Sequence, residues 1–162
     1  VIIGQGTASK ELIEQYGSFD NILVPIGGGG LIAGSALAAK YFGDNCSVIG
    51  TEPFEVDDAY RSLISGKIET NITTNTIADG LRTQLGDKNF PIILNEVKKI
   101  IRITEDEIID SMKLIWQRLK IICEPSCSLP LAGVLKNKDN FKGKKIGIII
   151  TGGNIDLYNL PF

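Results

Sequence analysis

The chain has 162 residues, 43% of them hydrophobic and 22% charged, enough to bury a core of one domain without disulfide or metal staples. Seventeen basic against nineteen acidic side chains leave a net charge of −2, which excludes the basic excess that nucleic acid or an anionic membrane surface requires. The absence of histidine excludes His-based triads, His metal sites and His proton shuttles within the chain.

Taken in order, Thr7 is placed to cap a helix running through Tyr16, with Gly17 to end it. Ile22–Ile26 is a short apolar run and reads as a buried strand. Leu31–Tyr41 is rich in Ala and Leu and reads as a helix. Ser47–Thr51 is a second strand, and the polar stretch Gly66–Asn75 a long surface loop. Lys99–Ile103 is a third strand. Thr104 then opens a helix as N-cap, with Glu107 three residues on to complete a capping box. Ile108, Ile109, Met112, Ile115, Trp116 and Leu119 form the apolar face of that helix, about four turns long. Leu129–Leu135 reads as a further helix, with Pro130 expected in its first turn. Lys145–Ile150 is the clearest buried strand. Apolar strands alternating with helices predict an α/β fold, a three-layer parallel sheet flanked by helices. Ligands of such sheets bind at the carboxyl ends of the strands.

Three cysteines, Cys46, Cys123 and Cys127, are an odd number with no CxxC pair. This argues against a disulfide framework or structural zinc, and for a reducing, cytoplasmic setting. No run is long and apolar enough to span a membrane, and the first residues lack a signal-peptide pattern. The chain begins with Val1, as a processed protein or a piece of a longer one would.

Gly27-Gly28-Gly29-Gly30 lies between the first strand and the following helix. Four glycines cost conformational entropy on folding, and suit a backbone that turns sharply against a ligand. Their amides, with the free amides of the helix start, make an anion cradle. No Lys-Ser or Lys-Thr follows, so it is not a Walker A loop. Gly28, Gly30 and Ala33 also fit a dinucleotide fingerprint, with Glu52 about twenty residues on, where a ribose-binding acid sits. A phosphate monoester is satisfied by the loop alone. Thr151-Gly152-Gly153-Asn154 follows the last strand and should project at the same sheet edge, offering a hydroxyl and room for a flat group. Together the two turns suggest a ligand with a phosphate and a planar ring.

Several segments are distinctive in order: Val24-Pro25-Ile26-Gly27-Gly28-Gly29-Gly30-Leu31, Glu52-Pro53, Thr76-Ile77-Ala78-Asp79-Gly80, Thr104-Glu105-Asp106-Glu107-Ile108, Glu124-Pro125-Ser126 and Thr151-Gly152-Gly153-Asn154-Ile155-Asp156-Leu157. Together they resemble the C-terminal half of the large domain of fold-type II pyridoxal phosphate enzymes, on the branch of the serine racemases and threonine dehydratases. The resemblance covers essentially the whole chain.

It implies that residues 1–162 are a single partial domain, and that Gly27, Gly28, Gly29 and Gly30 hold the phosphate of pyridoxal 5'-phosphate. It places the Thr151 hydroxyl opposite the pyridine nitrogen, where racemases of this type use Ser, and Glu124 near the ring. Cys127-Ser128 stands where the family usually has a Gly-Ala or Ala-Gly pair. Glu52, Val56 and Asp58 match a stimulatory Mg²⁺ or Ca²⁺ site, which reassigns Glu52 from ribose to metal. Two carboxylates and a backbone carbonyl suit such a hard cation. Asp20 matches a second cation position, and Lys120 and Asn154 match contacts to ATP, an allosteric effector at a subunit interface.

The Schiff-base lysine, the substrate-carboxylate loop and the second acid/base of the family are absent from this chain and expected in an N-terminal half. The fragment alone is expected to be inactive, and its incomplete sheet to expose an edge or an apolar face. The whole protein is expected to be a homodimer acting on serine, with threonine as a further substrate, by racemisation and by β-elimination to pyruvate and ammonia. A catabolic dehydratase is the alternative. From another class, the chain would be a non-enzymatic phosphate- or nucleotide-binding module.

Overall fold

The computed structural model describes residues 1–162. Four strands, β1 (Asn21–Pro25), β2 (Ser47–Pro53), β3 (Val97–Ile103) and β4 (Ile146–Ile148), form one sheet in the order β3-β2-β1-β4, every neighbouring pair parallel. Helices cover both faces, as the alternating apolar pattern predicts. The strands divide their side chains by alternation. Ile22, Val24 and Val48 face one core with Ile13, Ile32 and Ala36, from α1 (Ile2–Tyr16) and α2 (Gly30–Phe42). Leu23, Ile49 and Ile101 face the other, with Ile108 and Leu129, from α5 (Glu105–Leu119) and α6 (Pro125–Lys136). Between these lie α3 (Asp58–Ser65), a 3-10 turn at Asp79–Leu81 and α4 (Phe90–Glu96), with the short α7 (Lys138–Phe141) after α6. No helix is long and apolar enough to cross a membrane.

Three local expectations are corrected. Helix α1 starts at Ile2, and Thr7 lies inside it, its Oγ1 donating to Gly4 O at 2.7 Å. The reason is tertiary. A Cβ at Gly6 would sit 2.7 Å from Gly34 O, so α1 and α2 cross with their backbones nearly touching. Beside that crossing, Ser9 Oγ donates to Ser35 Oγ at 2.8 Å in a buried position. Docking onto α2 offsets the poor helix propensity of Gly4 and Gly6.

Helix α6 starts at Pro125, leaving Pro130 in its interior. Pro125 at N1 has no N–H to waste there. Pro130 costs an intrahelical bond, and complete burial of residues 125–130 between α5 and the sheet compensates. Strand β4 is three residues long, not six. It pairs only with β1, and Ile149 N donates to Leu23 O at 3.2 Å. The next donor on that side of β1 would be Pro25, which has no N–H, and the ladder stops. Helices α3 and α4 carry too few residues to show a period, and the sequence does not announce them.

The capping box forms as read: Glu107 N donates to Thr104 Oγ1 and Thr104 N to Glu107 Oε2, at 3.4 and 2.8 Å. Gly66–Asn75 lies in a loop. Val1 and Ile3 stand 96% and 87% exposed at the start of α1.

Candidate active site

A parallel sheet brings all its strand ends to one edge. Here that edge gathers the glycine turn after β1, Glu52 at the end of β2, and Thr151 after β4. A cavity of about 280 Å³ opens there, lined by Gly27, Gly28, Gly29, Gly30, Gly80, Glu124, Ser126 and Thr151, with Val1, Gln5, Pro25, Leu31 and Leu81 at its margins. Residues spread over more than 120 positions of sequence thus meet in one place. A larger cleft of about 670 Å³ beside Val1, Ile2, Ile3 and Leu37 is chiefly apolar and holds none of the candidate residues.

The amides of Gly27, Gly28 and Gly29 donate to no backbone carbonyl, and those opening α2 have no intrahelical acceptor by geometry. Gly29 has φ +85°, a left-handed conformation that glycine adopts without strain. A Cβ there would lie 2.7 Å from Leu85 Cδ1 and 2.9 Å from Ile93 Cδ1. The segment Thr83–Asn89 is the back wall: Gly86 N and Asn89 Nδ2 both donate to Gly28 O, at 3.0 and 2.5 Å. The carbonyls are thereby tied down and the amides are left for an outside acceptor. The aligned dipole of α2 favours an anion at this point by about 0.3–1 kcal/mol.

Thr151 is exposed to the cavity, and its Oγ1 lies 3.3 Å from Cys127 Sγ. Glu124 precedes α6, and its Oε2 accepts from Asn154 N at 3.0 Å. The carboxylate packs on Gly152, where a Cβ would meet it at 2.7 Å. Ser126 Oγ accepts from Gly80 N at 3.2 Å, fixing the 3-10 turn as one wall. Ser126, Gly80 and Cys127 are the site residues that the sequence did not point out by chemistry. Their only signal is membership of the distinctive segments around them.

The acidic pair lies behind this wall. Glu52 is 1% exposed, and its two oxygens accept from Ala59 N and Tyr60 N at 3.0 and 2.9 Å, at the start of α3. Asp58, equally buried, accepts from Leu85 N through Oδ2 at 2.6 Å. Burial holds the Glu52 carboxyl well above its ordinary range and the neighbouring Asp58 adds to this, while the amides of Tyr60 and Ala59 oppose it. Val56 is buried beside them in sequence. No three His, Cys, Asp or Glu side chains converge anywhere on the molecule, so a cation here would need backbone or water oxygens as well. Each carboxylate oxygen has a second lone pair to give.

Asp20 is not with them. It precedes β1 at the opposite edge of the sheet, and its Oδ2 accepts from Lys145 N at 2.7 Å. Lys120 ends α5 in a left-handed conformation, and Asn154 is exposed in the turn after β4. These two lie on adjacent segments: Glu124 N donates to Gly152 O at 3.1 Å, and Gly153 abuts Ile122.

Residues 1–152 match the family described as "Pyridoxal-phosphate dependent enzyme". The whole chain is 46% identical to a beta-hydroxyaspartate dehydratase of Paracoccus denitrificans, covering 51% of that protein. It is 51% identical to a serine racemase of Dictyostelium discoideum over 99% of this chain and 51% of that one. The crystal structure of the Dictyostelium racemase superposes with a TM-score of 0.89, covering 95% of this chain and half of the other. The chain therefore spans about half the length of the curated relatives it matches. With that match over most of its length, and a cavity of unspent amides and a facing hydroxyl at one sheet edge, the chain belongs to the pyridoxal-phosphate dependent enzyme family.

Proposed function

We propose that this chain is the later part of the large domain of a pyridoxal phosphate-dependent serine racemase that also eliminates water from serine. The observation that carries the reading is the single cavity joining the glycine amides to Thr151 and Glu124. The amides of Gly27–Gly30 hold the phosphate dianion without a cationic side chain, which is what side-chain-free residues at a helix start can do. The Thr151 hydroxyl would meet the ring nitrogen of the bound cofactor. Being neutral, it does not force that nitrogen to carry a proton as an aspartate would. Glu124, tied to Asn154 N, borders the ring as an acceptor. When bound, the cofactor supplies an electron sink for a carbanion at the substrate Cα. The groups that remove and return the α-proton belong to an N-terminal half.

Glu52, Asp58 and the Val56 carbonyl form the Mg²⁺ or Ca²⁺ site in this reading, Asp20 a second and separate cation contact, and Lys120 with Asn154 an ATP contact between subunits of a cytoplasmic homodimer. The beta-hydroxyaspartate dehydratase likeness favours a second reading, in which elimination is the main outcome and racemisation the side reaction.

The full-length protein with added pyridoxal phosphate should show a visible absorbance band that borohydride abolishes, lost when the upstream lysine is replaced. A protein with no such band overturns the reading. Chiral chromatography of L-serine turnover separates the two outcomes: D-serine in excess of pyruvate supports the racemase, pyruvate alone the dehydratase. Added Mg²⁺ should raise Tm, and Glu52→Gln and Asp58→Asn should each abolish that rise. A rise that persists in both variants rules the cation site out.

A further inference from the structure

Cys127 is the third residue of α6 and fully buried, with Met112, Ile115 and Cys123 as its apolar neighbours. Its sulfur touches the turn after β4 three times. Thr151 N donates to it at 3.3 Å and Gly152 N at 2.8 Å, and Thr151 Oγ1 stands 3.3 Å away. Burial pushes the thiol up, against the pull of Thr151, so at neutral pH the sulfur keeps its proton.

A thiol has one proton to give. Two amides already donate to the sulfur, and Met112, Ile115 and Cys123 make no hydrogen bond with it. The one oxygen within hydrogen-bond reach of Sγ is Thr151 Oγ1. If Thr151 instead donated to the sulfur, the sulfur would accept three hydrogen bonds and its own buried proton would have no acceptor. Leaving a polar group unpaired in that way is the costlier arrangement. With the thiol donating, the lone pair of Oγ1 on that side is used and the hydroxyl proton is turned into the cavity.

We propose that Cys127 is a positioning residue that sets the polarity of the Thr151 hydroxyl, presenting it to the cofactor ring nitrogen as a hydrogen-bond donor and so keeping that nitrogen unprotonated. This rests on the reading of the cavity as the pyridoxal phosphate site.

The full-length holoprotein, loaded with pyridoxal phosphate labelled with ¹⁵N in the ring, tests this by NMR in the wild type, Cys127→Ser and Cys127→Ala. The wild type and Cys127→Ser, which keeps a donor, should show the resonance of an unprotonated, hydrogen-bonded ring nitrogen. Cys127→Ala frees the hydroxyl to accept, and its resonance should move toward the pyridinium position. Cys127→Val, which fills the volume but donates nothing, should behave as Cys127→Ala and serves if the alanine variant does not fold. One common resonance across wild type, Ser and Val overturns the inference, as does a pyridinium nitrogen in the wild type. A wild-type protein with no bound cofactor signal overturns this inference and the functional reading together, and so is distinguishable from the failure of this inference alone.

Discussion

The two glycine turns at the sheet edge solve different problems with similar residues. Gly27–Gly30 offers main chain only. Its conformation is imposed from behind by Leu85, Asn89 and Ile93, which leave no room for a Cβ at Gly29. Thr151–Asn154 offers one side chain. It is exposed, and it is held by two side chains of the α6 N-terminus, Cys127 and Glu124. The first turn is anchored to the core at Gly29 and cannot be altered there without disturbing the fold. The second is attached to the core by polar contacts and can be altered chemically while the fold stands. In the reading proposed above, the site keeps its anion grip rigid and its ring contact adjustable.

The largest effect should come from breaking the first turn. Gly29→Ala combines a left-handed backbone with overlap against Leu85 and Ile93, and should cost about 2–4 kcal/mol in urea unfolding and abolish pyridoxal phosphate binding. Gly28→Ala meets nothing closer than 3.7 Å and should unfold near wild type. Equal losses in the two variants would show that the turn is not built around Gly29. At the second turn, Thr151→Val should leave stability within about 1 kcal/mol of wild type. It should lower kcat by roughly tenfold or more, about 1.4 kcal/mol of barrier, and Thr151→Ser should restore it. A Thr151→Val protein as active as Thr151→Ser would remove the hydroxyl from the site.

Far from both turns, Thr104→Ala removes half of the capping box and should cost about 1 kcal/mol with no change in cofactor affinity. The smallest effect concerns pH. Partial burial raises the Glu107 carboxyl, but the Thr104 amide and Lys136 outweigh this and leave it lowered overall. A carboxylate lowered in the folded state contributes stability above its ordinary pKa and loses it as pH falls through the folded one. Glu107→Gln should therefore flatten the acid limb of a Tm-against-pH curve below about pH 4.5 by a few tenths of a kcal/mol, the pair being about one-third exposed. An acid limb identical to wild type would show that the pair contributes nothing.

Much of the site is legible without coordinates because its signals are local. Four glycines after a five-residue apolar strand point to a sharp turn with free amides, and a capping box is complete within four residues. Cys127 is a contrary case. In sequence it is one of three unpaired thiols, marked only by its place directly after Glu124-Pro125-Ser126. Its contact to Thr151 crosses 24 residues and exists because α6 runs beneath the turn after β4. Asp20 and Glu52 make the same point in reverse. Both are acids next to strands, and only strand direction shows that they occupy opposite edges.

What the residues alone determined is the class of fold, the order of its strands and longer helices along the chain, and the glycine turn, since apolar period, caps and glycine runs act over a few residues. Tertiary structure decided where α1 and α6 begin, how soon β4 ends, and which side chains meet across the cavity. Those depend on burial and pairing between distant segments. Docking on α2 carries a glycine-weakened helix start, packing on two layers holds a proline inside α6, and one missing amide at Pro25 stops a ladder that the sequence of β4 would have continued.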